Sequence, residues 1–121
     1  MELINSGGVL ELVRAYRLCW MSGKFSGGKT SFALYLAKQF LEEGYRLITN
    51  NSAIWAEDLR EIGLYPSDHP KHANHLRAVV ILDEGGLHFK SGKQIEQIAA
   101  YAAKMDAIYI VPSFFPPARD V

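Results

Sequence analysis

Cysteine is all but absent. Cys19 is the only one in 121 residues, so neither an internal disulfide nor a cysteine-pair zinc site can form, which suits a reducing compartment. Surplus charge is absent too, with 13 Lys and Arg against 13 Asp and Glu. That balance leaves no whole-chain footprint for nucleic acid or an anionic membrane, so any DNA contact is local or shared among subunits. No apolar run nears the ~20 residues of a membrane-spanning helix. The first residues show no secretory leader pattern, and there is no internal repeat or low-complexity tract. What remains is a chain 49% hydrophobic, long enough for one domain with a modest core. These absences predict one cytoplasmic domain over 1–121, with Cys19 a small buried hydrophobe in its first strand.

Against that plain background one run stands out: Gly23-Lys24-Phe25-Ser26-Gly27-Gly28-Lys29-Thr30-Ser31. It matches the phosphate-binding loop pattern G-x-x-x-x-G-K-[ST], between an apolar strand-like segment and an amphipathic helix-like one. A strand must turn sharply into a helix while its N–H groups converge on an anion. Gly23, Gly27 and Gly28 are expected to supply positive φ and close approach. Residues 23–31 therefore read as a nucleotide-binding loop, with the phosphates at the helix N-terminus. Lys29 is the point charge for the β- and γ-phosphates and Thr30 a ligand for Mg²⁺.

Periodicity predicts the rest of the organisation. Residues 1–16 form an N-terminal extension with a short amphipathic helix, and 17–22 the first strand. A helix over 29–43 carries Ala33, Leu34, Ala37, Phe40 and Leu41 at helical spacing and ends at Gly44 as its C′ residue. A second strand covers 45–49, and a short helix capped by Asn51 or Ser52 runs through Arg60. Residues 63–75 read as a loop. The continuous apolar run 78–82 is a strand buried on both faces. Ser91 and Gln94 form a capping box for the next helix. A fourth strand over 107–111 is stopped by Pro112, and 112–121 is a tail. Strand and helix alternate, so the fold class is α/β: a three-layer P-loop core on a mainly parallel sheet of about four strands, in the order 2-3-1-4.

The buried strand runs into Asp83-Glu84-Gly85-Gly86, the pattern of a Walker B strand. It delivers two carboxylates to the edge where the phosphate loop opens. Asp83 is expected to hold Mg²⁺, through water, and Glu84 to orient or deprotonate an attacking water. The second carboxylate favours hydrolysis over phosphoryl transfer to a small molecule.

The Gly-Lys-x-x-x-Gly-Lys-Thr loop, Thr49-Asn50 after the second strand, and Ile81-Leu82-Asp83-Glu84-Gly85-Gly86 together resemble the Zot-like ATPases. These are additional-strand, catalytic-Glu P-loop proteins that include the inner-membrane ATPases of filamentous phage assembly, within the FtsK/HerA class of DNA-pumping motors. The resemblance spans roughly residues 17–115 in pattern, and only the loop and the Asp-Glu strand are specific. It implies an ATPase in which Lys29 and Thr30 bind ATP, Asp83 the Mg²⁺ and Glu84 the attacking water, with Ser113 at the sensor position. It implies a homo-oligomer, with DNA or phage and secretion assembly proteins as partners. Two departures accompany it: the chain ends soon after its fourth strand, and it holds no membrane helix. The chain is thus either a minimal member or a fragment, its inner-membrane link supplied by a missing segment or a partner.

Two rival readings stay open. Lys24 sits where ParA/MinD-type dimeric ATPases carry a signature lysine, although Phe25-Ser26 and Asp83-Glu84 depart from that family, and an exposed charge explains Lys24 as well. A nucleotide-gated binding module with little turnover is the other. Arg60, Arg77 and Arg119 are arginine-finger candidates by exclusion only. His69, His72 and His75 are expected to be exposed loop histidines rather than a metal site. His88 and Phe89 pack behind the Asp-Glu turn. Phe114 and Phe115, with Arg119, anchor a partner or stack on single-stranded bases. Trp20 and Trp55 are assigned to the core.

Overall fold

A computed structural model describes residues 6–22, 28–62, 75–85, 89 and 91–113. Its elements are α1 (Ser6–Tyr16), β1 (Leu18–Ser22), α2 (Lys29–Leu41), β2 (Arg46–Thr49), β3 (Glu57–Asp58), α3 (Leu59–Ile62), β4 (Ala78–Ile81), α4 (Gly92–Met105) and β5 (Ile108–Ser113). The protein is α/β, with five parallel strands in the order β1-β5-β4-β2-β3. Thr49, Ile81 and Ile110 share a rung, and Ser22 pairs with Ser113.

Helices cover both faces. On one, Val13 of α1 and Ala33, Leu36, Ala37 and Phe40 of α2 pack on Val79, Ile81, Ile108 and Ile110. On the other, Leu59 of α3 and Ile98 and Ala102 of α4 pack on Val80, Tyr109 and Val111. The split follows from handedness. The chain steps one way along the sheet from β1 to β2 and the opposite way from β4 to β5, so right-handed crossovers put α2 and α4 on opposite faces. Each fully buried Ile, Leu or Phe contributes about 1.5–3 kcal/mol. The alternate residues of β4 and β5 supply both cores at once.

The expected order 2-3-1-4 is corrected. The last strand lies between β4 and β1, and the first stands at the edge. Burial explains the exchange: all six residues of β5 are buried, whereas β1 is half-buried at Leu18, Cys19 and Trp20. Pro112 does not stop β5 but lies within it, paired with Met21. Leu82 N–H donates to Ile110 O, so the even positions of β5 face β4, and the donor that Pro112 lacks points past the end of that strand.

The helix expected from Asn51 through Arg60 is corrected as well. Residues 51–56 are turns held by local bonds, with Ala53 N–H donating to Asn51 Oδ1 at 2.9 Å and Ile54 N–H to Asn51 O at 3.0 Å. A fifth strand, β3, and the single turn α3 follow. Trp55, on this protruding segment, is 98% exposed and is no core residue. Trp20 does pack against the core, its ring 5.9 Å from Phe89. Gly44, φ 95°, follows Glu42, the C-cap of α2, two residues on rather than at C′. Ser91 caps α4 as expected, its Oγ accepting from Gln94 N–H at 3.3 Å. Among the described residues, no helix is long and apolar enough to cross a membrane.

Candidate functional site

All strands point one way, so their carboxyl ends make a single edge, and the described residues of the loop run, Asp83, Glu84 and Ser113 stand there. Open α/β sheets bind ligands in the crevice at that edge, where the helix connections part to opposite faces. The connections after β1 and β4 part in this way, with β5 between them.

From the loop run, Gly28, Lys29, Thr30 and Ser31 are described, while Gly23, Lys24, Phe25, Ser26 and Gly27 lie outside the described residues. Gly28 is the N-cap of α2 with φ −102°, not the positive φ expected. Among the described residues nothing lies within 4 Å of a Cβ built on it. Having no side chain, it leaves the first-turn N–H groups without a capping oxygen of its own. Lys29 opens α2 and is 7% exposed. The orphan N–H groups and the dipole at this helix end favour negative charge, so an anion suits the place.

After β4 the chain turns at Asp83-Glu84 under tight control from β2. Thr49 Oγ1 donates to Ile81 O at 2.8 Å. Asn50 then extends the ladder with its side chain: Nδ2 donates to Asp83 O at 3.0 Å, and Oδ1 accepts from Asp83 N–H at 2.7 Å. Asn51 Nδ2 donates to Asp83 Oδ2 at 2.9 Å, and Glu84 N–H donates to Asp83 Oδ1 at 3.1 Å. Glu84 itself has φ 54°, the left-handed region that non-glycine residues avoid. Gly85 is buried, and a Cβ there would fall 2.0 Å from Val111 Cγ1, so only glycine lets this turn lie on β5. Ser113, fully buried, ends β5 beside Ser22.

Sequence reasoning missed the role of Asn51 and the side-chain rung made by Asn50. Thr49-Asn50-Asn51 is a visible signal, three polar residues directly after a strand. Their partner, 32–33 residues away, is not legible in it.

Other expectations resolve elsewhere. His75 is fully buried, not an exposed loop residue, with Nδ1 2.6 Å from the Tyr109 hydroxyl. His69, His72, His88, Phe114, Phe115 and Arg119 lie outside the described residues. Arg77 is held at the opposite edge, by Asp106 and Glu43 O. Arg60 is on the carboxyl edge but paired with Asp58, Nη2 to Oδ2 at 2.9 Å. A polar cavity of about 170 Å³ opens at the β2–β3 end, lined by Thr49, Asn51, Ser52, Asp58 and Arg60 among others, and Asn51 also bonds Asp83.

The donor set fits a magnesium ion. Mg²⁺ is usually bound by one or two carboxylates plus phosphates and water, not by an all-protein cage. Asp83 and the Thr30 hydroxyl are oxygen donors of that kind. Compared with known protein families, curated proteins and solved structures, the chain matches none.

Proposed function

We propose that this protein is a Mg²⁺-dependent ATPase, an oligomeric motor or assembly ATPase of the Zot-like, FtsK/HerA kind, working in the cytoplasm. One observation carries the reading: a single sheet edge gathers the buried Lys29 at the head of α2 and the strained Asp83-Glu84 turn. The position of β5, an additional strand between the loop-bearing and acidic strands, supports the same class.

Lys29 and the first-turn N–H groups of α2 would bind the phosphates, and Thr30 and Asp83 would hold the magnesium ion. That ion supplies charge neutralisation on the β- and γ-phosphate oxygens. Glu84 orients a water and takes its proton. Asn50 fixes the Asp83 backbone, and Gly85 seats the turn on β5, so the carboxylates keep one geometry. ATP is the nucleotide proposed, and the sequence holds no Asn/Thr-Lys-x-Asp guanine-recognition motif. Among the described residues the arginines Arg14, Arg17, Arg46, Arg60 and Arg77 are each ion-paired within the chain, and Arg119 lies outside them. A transition-state arginine from a neighbouring copy suits that arrangement, and it is the ground for proposing an oligomer.

The test is Mg²⁺-dependent ATP hydrolysis by wild type and Glu84→Gln over a protein-concentration series, with and without DNA. Wild-type turnover should rise more than linearly with protein. Glu84→Gln should lower it by about 10²–10⁴-fold while nucleotide still binds. Flat, negligible turnover in both would remove the catalytic role of Glu84 and leave a nucleotide-gated binding module.

A further inference from the structure

We infer that Asn51 is a positioning residue, whose side-chain amide holds the Asp83 carboxylate in the orientation that receives the divalent cation. The inference rests on the nucleotide-and-magnesium reading above. Its ground is the bonding of Asn51 at three atoms. Oδ1 accepts from Ala53 N–H at 2.9 Å, which fixes which way the amide faces. Nδ2 must then point at Asp83, and it lies 2.9 Å from Oδ2. The Asn51 N–H donates to Thr49 Oγ1 at 3.1 Å, itself bonded to Ile81 O. The Asn51 backbone is thus tied to the last rung of the β2–β4 ladder, directly behind the side chain that reaches Asp83.

On the carboxylate, each oxygen has one donor among the described residues: Asn51 on Oδ2 and the Glu84 N–H on Oδ1. A carboxylate has about four acceptor sites, so capacity remains on both oxygens while rotation about the side chain is blocked. A charge-assisted bond of this kind orients a ligand before the cation arrives. Loss of such an outer partner typically costs about 10–100-fold in metal affinity.

Asn51→Ser separates this role from the turn. The serine hydroxyl can still accept from Ala53 N–H as an ST-turn, but it is too short to reach Asp83. With the full chain, a non-hydrolysable ATP analogue and Mn²⁺ as the probe, free Mn²⁺ is followed by EPR. Binding of the analogue in EDTA is followed by calorimetry. The variant should bind Mn²⁺ with the analogue about 10–100-fold more weakly and bind the analogue in EDTA as wild type does. A merely structural role would lower both affinities together, and that result, or unchanged Mn²⁺ affinity, overturns the inference alone. A wild type that takes up the analogue but no Mn²⁺ overturns the metal reading and this inference with it.

Discussion

Glu84 and Gly85 are neighbours that ask opposite things of the backbone. Glu84 holds a left-handed φ that disfavours a Cβ by roughly 1–2 kcal/mol, at the carboxyl edge where strain of this kind is commonly tied to function. Gly85 is right-handed or extended but has no room for a Cβ beside Val111. Chemical denaturation should therefore show Glu84→Gly neutral or stabilising, its strain relief set against about 0.5–1 kcal/mol of glycine entropy. Gly85→Ala should lose about 1–3 kcal/mol by overpacking. Equal losses at both positions would refute the strain account. None of this was legible beforehand: Asp83-Glu84 could be read as chemistry from the apolar run before it, but the φ of Glu84 and the Asn51 contact are tertiary facts. Trp55 was misread because its burial depended on a helix that the Asn51 turn prevents. His75 was misread because its partner Tyr109 comes 34 residues later.

At the scale of elements, the amino edge is held by charge while the carboxyl edge is held by amides. Arg17, Arg77 and Asp106, each with φ of 50–60°, lead into β1, β4 and β5. They meet at Asp106, which accepts from Arg17 Nη1 at 2.8 Å and the Tyr45 hydroxyl at 2.9 Å and lies 3.5 Å from Arg77 Nη1. Burial pushes the Asp106 carboxyl up, but the Tyr45 hydroxyl and the Arg17 and Arg77 guanidiniums outweigh it and hold it below its ordinary value. A carboxyl lowered in the folded state adds stability that is fully present above its unfolded value of about 3.9 and lost as pH falls through the lower folded value. Asp106→Asn, which keeps a residue tolerant of the left-handed region, should thus be less stable than wild type at neutral pH and converge with it below about pH 4. With Asp106 38% exposed, the neutral-pH difference should be about 1 kcal/mol or less. A difference that persisted undiminished into acid would show that shape, not charge, is at work. Elements with strong periodicity were legible, namely α2, α4 and the apolar β4, whereas 51–58 was not, because its bonds run from side chain to nearby backbone.

Over the whole molecule, alternation of strand and helix announced a parallel α/β sheet, and the structure has one. Its order was misjudged, although the signal was present: Ile108-Tyr109-Ile110-Val111 is apolar on both faces and belongs in the middle, while Leu18-Cys19-Trp20 suits an edge. That order sets β5 between the loop strand and the acidic strand and opens the crevice proposed to take the nucleotide. The decisive measurement is calorimetric binding of a slowly hydrolysed ATP analogue with Mg²⁺ to wild type and Lys29→Ala. Saturable binding by wild type, weakened about tenfold or more in the variant as expected for lost bonds to a charged group, is the result this account predicts. No saturable binding by wild type, or equal binding by both, would contradict it.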